Sequence, residues 1–136
     1  MDNHHYILLL GIIHNQSVIK FLVDKCPTMV NLKINHSGIT LLHILCQENK
    51  VDTLKFFING YPSGFFDFNA VDHAGMTPLY HAANKGHTEI VNILLENSEK
   101  IMLDIHKKTQ DGKTALDIAK AEGHQNVAVL LHKYLK

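Results

Sequence analysis

A motif that returns at a fixed interval constrains the fold of this chain more than any other feature of its sequence. The segment GMTPL at residues 75–79 returns as GKTAL at 112–116 and as GITLL at 38–42, so Thr40, Thr77 and Thr114 are 37 residues apart. Paired apolar residues follow each copy at similar distances, at 57–58, 94–95 and 130–131. Self-similarity at such a period indicates that one supersecondary unit is stacked several times.

Each unit carries the signals of two short helices. Thr77 followed by Pro78 predicts a helix start, because threonine offers an N-cap oxygen and proline has no N–H to leave unpaired. We expect Gly86 to end this first helix in the left-handed conformation, with Asn49 and Gly123 at the equivalent positions of the neighbouring units. The apolar residues of the third unit then lie at helical spacing in two stripes, namely Leu79, Ala82 and Ala83, followed by Ile90, Val91, Leu94 and Leu95.

These residues resemble the ankyrin-repeat family, whose pattern is roughly D-x-x-G-x-T-P-L-H-x-A-A, then G-H, then I-V-x-x-L-L. The fourth unit departs from it at Ala115 and Asp117, the second has Leu45 and Cys46 in place of the alanines, and a degenerate first unit begins near residue 5. The resemblance implies an all-α fold, an ankyrin-repeat solenoid of stacked helix-turn-helix units joined by hairpin-like loops. It implies one domain over residues 1–136, with approximate repeats at 1–33, 34–70, 71–107 and 108–136.

Two connections are longer than the family's usual form, at residues 59–68 and 96–105. The first is rich in turn residues and aromatics. One interpretation is that Phe66 and Phe68 fill the junction between units, as Leu103 and Ile105 would in the next one. The other is a partner-binding loop built around Tyr61 and Phe65.

Composition narrows the classes of protein. The chain has 13 basic and 13 acidic side chains, and every basic one is lysine. A nucleic-acid binder usually has a basic face and relies on arginine, so no nucleic-acid partner is expected. Two cysteines without metal or redox spacing favour a reducing compartment. The apolar run at residues 6–13 is too short to span a bilayer, so we expect no membrane partner and a cytoplasmic or otherwise intracellular protein, delivered into a host cell if it is microbial.

No motif for catalysis, cofactor binding or metal binding stands out. The sequence has 11 histidines, but His87 and His124 occupy matching positions in their units, as do His36 and His73, which favours structural roles. Cys46 lies at the position of Ala83 and is expected to behave as a small buried hydrophobe rather than a nucleophile. We expect no enzyme activity, no cofactor and no metal.

The resemblance implies that a protein partner binds the concave face, formed by the hairpin tips and the exposed side of each first helix. The chain would then be an adaptor, inhibitor or effector, monomeric when unbound. The alternative is a structural or assembly domain of a larger protein. Carried onto this sequence, the expected partner-binding residues are Leu9, Ile13, His36, Ile39, Ile44, Gln47, His73, Met76, His81, Asn84, Lys85, Gln110 and Lys113.

Several of these residues are apolar and would form an exposed patch, namely Leu9, Ile13, Ile39, Ile44 and Met76. Such a patch commonly marks an interaction site. A second interpretation is that the first unit repacks as an N-terminal cap and hides Leu9 and Ile13.

Overall fold

The computed structural model describes residues 15–34 and 36–135, and within them it contains seven α-helices and no strand. The first unit contributes α1 (Gln16–Lys25), which is followed by a 3₁₀ turn at Pro27–Asn31. The other units contribute helix pairs. These are α2 (Leu41–Gln47) and α3 (Val51–Gly60), α4 (Pro78–Lys85) and α5 (Thr88–Glu96), and α6 (Ala115–Ala121) and α7 (Gln125–Tyr134). The all-α prediction is confirmed.

The helices form two layers. The first helices α2, α4 and α6 pack side by side, and α5 packs between α3 and α7 in the second layer. Leu42, Leu79, Leu94 and Leu131 are each at most 2% exposed and belong to one continuous core. A pair of helices this short buries too little apolar surface by itself, so the stacking of neighbours stabilises the fold.

The predicted helix boundaries are confirmed at the level of backbone geometry. The Thr77 side chain accepts a hydrogen bond from the Tyr80 N–H at 3.1 Å, and Pro78 opens α4. Gly86 has φ 73°, and Asn49, at the equivalent position of the second unit, has φ 57°. The left-handed conformation at both positions turns the chain sharply from the first helix into the second.

The long connections are tied to their neighbours through asparagine side chains. Asn69 donates from Nδ2 to Met102 O at 2.7 Å, and its Oδ1 accepts from the Asp104 N–H at 2.7 Å. Asn31 makes the same paired contacts with Phe65 O and the Asp67 N–H. Successive connections are therefore held in register by side-chain amides that pair with backbone groups of the adjacent connection.

The aromatic connection fills the junction between units. Phe66 and Phe68 are each 4% exposed, and Phe66 stacks on Phe57 with ring centroids 4.4 Å apart. Tyr61 and Phe65 are half-buried and stack on each other at 4.8 Å, while the Tyr61 hydroxyl donates to Asp24 in α1 at 3.1 Å. These contacts support the packing interpretation of this segment.

In the next connection the buried residue is Ile101, at 6% exposed, whereas Leu103 and Ile105 are only half-buried. The expectation that Leu103 and Ile105 fill that junction is therefore only partly met.

Candidate partner-binding surface

Three hairpins lie side by side along one edge of the stack. The His73 N–H donates to Ser37 O at 2.8 Å, and the Gln110 N–H donates to Ala74 O at 3.1 Å, so each tip is bonded to the next. The Gln110 side chain also donates to His73 O at 2.7 Å. These bonds fix the tips relative to one another while leaving their side chains in solvent. The exposed tip residues are His36, Ser37, His73, Ala74, Gln110, Asp111 and Lys113.

The C-terminal ends of the first helices lie next in each unit. Gln47 and Asn84 are half-buried there, and Glu48 and Lys85 are exposed. Met76, between the tip and α4, is also half-buried. We call the hairpin tips, Met76 and these helix ends the inner face. Of the expected binding residues, those that the structure places on it in accessible positions are His36, Gln47, His73, Met76, Asn84, Lys85, Gln110 and Lys113.

Three expected binding residues are not accessible, which corrects the prediction of an exposed apolar patch. Ile44 is fully buried, and Ile39 and His81 are each 8% exposed. The residues from Leu41 to Cys46 are all buried, and six consecutive residues cover the whole circumference of a helix. α2 is therefore enclosed on all sides, whereas the prediction assumed one solvated face. Leu9 and Ile13 lie outside the described residues.

His81 belongs to a buried polar network instead of the surface. Its Nε2 lies 2.9 Å from Asp72 Oδ2, and its Nδ1 lies 3.1 Å from the side-chain amide of Gln47. Asp72 Oδ1 accepts from the N–H groups of Ala74 and Met76 at 3.0 and 2.9 Å. Burial alone would raise the pKa of Asp72, but the hydrogen bonds from the Met76 N–H, His81 and the Ala74 N–H outweigh it, and the pKa is lowered. The network fixes the hairpin of the third unit onto α4.

His87 and His124, one of the two pairs of repeated histidines, have structural roles. His87 Nε2 lies 2.9 Å from Gln47 O, and His124 Nε2 lies 2.9 Å from Asn84 O. A carbonyl oxygen only accepts, so each Nε2 carries the proton and donates. Each ring therefore closes the C-terminal end of the first helix in the preceding unit.

One group has the composition of a metal site. The ligand atoms of His43, Asp72 and His81 all lie within 4.8 Å of one another. His43 Nε2 is engaged with Met76 O, however, and Asp72 and His81 are engaged with each other and with their neighbours. Within residues 15–34 and 36–135, every buried side-chain nitrogen and oxygen has a hydrogen-bond partner. The three side chains fit a closed hydrogen-bond network, and a metal ion would have to break it to bind.

Cys46 is fully buried, and burial raises the pKa of its thiol to about 12. The thiolate is the nucleophilic form, so this cysteine is unreactive in the folded chain. None of the helices that the structure describes is both long and apolar enough to cross a lipid bilayer.

The stacked helix pairs, with bonded tips on one edge, define a helical repeat protein of the solenoid class. The family model for ankyrin repeats in three copies matches residues 4–104 and 42–136, so this chain belongs to the ankyrin-repeat family. Ankyrin repeats are generally protein–protein interaction modules.

Relatives include the SMC5-SMC6 complex localization factor protein 1 of Bos taurus, 36% identical over 79% of this chain and 10% of that protein. A putative ankyrin repeat protein of Rickettsia bellii is 33% identical over 69% of this chain and 15% of its own length. The human ankyrin repeat domain-containing protein 63 is 32% identical over 70% of this chain and 24% of its own length. The chain thus spans between a tenth and a quarter of these relatives.

Proposed function

We propose that this chain is an intracellular protein-binding module that holds its partner across the inner face and acts as an adaptor, inhibitor or effector. The observation that carries the proposal is the contrast between two sets of equivalent positions. The stacking positions are apolar in each of the last three units, and they are buried at Leu42 and Leu79 and half-buried at Leu116. The helix-end positions are accessible and differ from unit to unit, as at Gln47 and Asn84, and the accessible tips carry His36, His73 and Gln110.

The relatives support an interaction role. One of them is named as a localization factor of a protein complex, and the family as a whole binds proteins. The groups best suited to catalysis in the described part of the chain are engaged or suppressed: His43 and His81 are hydrogen-bonded, and Cys46 is desolvated. What the site offers a partner is a rigid row of polar and charged side chains.

Partner capture from a native lysate, followed by identification and measurement of Kd with the purified partner, tests the proposal. His73→Glu combined with Asn84→Arg changes the centre of the inner face and is expected to weaken binding at least tenfold, because hot spots cluster near the centre of an interface. The control is Lys55→Glu, at an exposed outer position of α3. Equal affinity of both variants and the wild type would refute binding through the inner face.

Ile44 in α2 and His81 in α4 are unsuitable for this test. A glutamate at Ile44 would place a charge in a fully buried position, and His81→Glu would set a second carboxylate beside Asp72. Both changes would lower the free energy of unfolding, so loss of binding would not report on the surface.

The alternative is a structural role within a larger protein, favoured by one exposed apolar site. Val129 in α7 is 68% exposed, at the position occupied by Lys55 in α3 and Asn92 in α5. It lies in a shallow groove with Asn92 and Leu130, between α5 and α7. If that groove is the functional contact, Val129→Lys will abolish association while His73→Glu with Asn84→Arg leaves it unchanged.

A further inference from the structure

One row of charges on the inner face alternates in sign. Glu48, Lys85 and Glu122 occupy the same position in three successive units, 37 residues apart, and all three are exposed. Each stands at or just after the last residue of its first helix. Within the described part of the chain, none of the three takes part in an ion pair. We call these three side chains the charge row.

The packing of the first helices sets the spacing of the charge row. Because α2, α4 and α6 lie side by side, and packed helix axes are about 8–10 Å apart, neighbouring charges are separated by about 10 Å. Along the stack the row therefore presents a negative, a positive and a negative group at regular intervals. A partner that matched all three would carry a base, an acid and a base at the same intervals.

The amides beside the charge row indicate the conformation of that partner. Gln47 and Asn84 precede Glu48 and Lys85 directly and are half-buried. The Gln47 amide nitrogen contacts His81 Nδ1, so its Oε1 faces elsewhere and is able to accept a hydrogen bond. Side-chain amides of this kind pair with unsatisfied backbone groups, which an extended segment has and a helix lacks. In the polyproline II conformation, residues three apart lie on one face and about 9 Å apart, which matches the row.

We propose that the charge row selects an extended segment of a partner protein with the pattern basic-x-x-acidic-x-x-basic. This inference depends on the proposed function, since it assigns a sequence preference to the same inner face. The charge row runs along the stack. A segment of the opposite pattern, acidic-x-x-basic-x-x-acidic, would place like charges together at all three positions and would therefore bind more weakly.

Two blocked heptapeptides, KPPEPPK and EPPKPPE, test the inference by NMR titration of the ¹⁵N-labelled chain. We expect KPPEPPK to bind about tenfold more tightly at low salt, since three exposed ion pairs each contribute modestly. The ratio is expected to fall toward one at about 0.5 M NaCl, where the Debye length is shorter than the charge spacing. The Lys85→Glu variant should instead prefer KPPKPPK over KPPEPPK, and the matched outer-surface control Lys55→Glu should keep the wild-type preference.

Equal affinity for the two peptides with perturbed Gln47 and Asn84 amide signals would overturn the charge inference and leave the inner face as a binding surface. A preference for EPPKPPE, no perturbation by either peptide, or an unchanged preference in Lys85→Glu would also overturn it. The capture experiment with His73→Glu and Asn84→Arg judges the proposed function separately, because its readout is the affinity for the captured partner and not for either peptide.

Discussion

His43 Nε2 lies 2.9 Å from Met76 O, which joins the first helix of the second unit directly to the hairpin of the third. His43 Nδ1 accepts from the Thr40 N–H at 3.1 Å, so Nε2 carries the proton and donates to the carbonyl. The side chain is fully buried. Burial lowers the pKa of His43 to about 4, although the hydrogen bond to Met76 acts in the opposite direction.

This pKa predicts a loss of stability in mild acid. The unfolded chain takes up a proton at His43 near pH 6.5, whereas the folded chain does so only near pH 4, so stability falls as the pH drops through that window. Between pH 7 and pH 5 we expect His43 to lower the free energy of unfolding by about 2 kcal/mol. Asp72, whose pKa is lowered in the folded state, adds a further loss only at more acidic pH.

Urea denaturation at a series of pH values measures the effect, with His43→Gln as the comparison. Glutamine does not titrate and still offers a donor for Met76 O. The free energy of unfolding of the variant should therefore change less between pH 7 and pH 5, by the amount that His43 contributes in the wild type. Parallel stability curves for the variant and the wild type would show that His43 is not the group responsible.

Alanine substitutions at the glycines that follow α4 and α6 distinguish the energetic cost of backbone strain from that of a steric clash. Gly86 and Gly123 both have φ 73°, but a Cβ at Gly86 would lie 2.6 Å from His124 Nδ1, whereas one at Gly123 meets nothing within 4 Å. Gly123→Ala should lower the free energy of unfolding by about 1 kcal/mol, because alanine is strained in the left-handed conformation. Gly86→Ala should cost roughly 1–3 kcal/mol more, since it displaces His124 from Asn84 O. Thermal melting of both variants checks this, and equal losses would contradict it.

Substitution of Leu94 tests whether the apolar core between the stacked helices stabilises the fold. The side chain is fully buried between the layers, so Leu94→Ala should lower the free energy of unfolding by roughly 2–5 kcal/mol through lost contacts and a cavity. Val129→Ala is the exposed counterpart, for which a change within about 0.5 kcal/mol is expected. Chemical denaturation curves that coincide for Leu94→Ala and the wild type would be incompatible with this packing.

The two thiols should differ sharply in reactivity. Cys26 is exposed, whereas Cys46 is buried and its pKa is raised to about 12. A thiol reagent at neutral pH should therefore modify one cysteine rapidly in the folded chain and the second only as the chain unfolds. Rapid modification of both in the native protein, or of neither, would contradict the assigned burial.

The elements that depend on local sequence were predictable. Thr77 with Pro78 starts a helix, and Gly86 and Asn49 end one, because these residues act through their own backbone and nearest neighbours. The core was predictable for a related reason: the repeat places Leu79 and Leu94 at positions that only stacking removes from water.

The surface was predicted less well because accessibility depends on neighbouring units. Ile44 and His81 occupy equivalent positions and were both expected to be exposed, yet both are buried. For Ile44 a signal existed in the sequence, since residues 41–46 of α2 are apolar apart from His43, as expected of a fully enclosed helix. For His81 the signal was weaker, because its partner Asp72 lies nine residues away in a hairpin.

Hydrogen–deuterium exchange on the complex with the captured partner tests the central claim most directly. If the partner lies across the inner face, protection will increase at the tips, residues 36–38, 73–76 and 110–113, and at the ends of α2, α4 and α6. Protection confined to the second helices α3, α5 and α7, with the tips unchanged, would contradict the account and favour the groove at Val129.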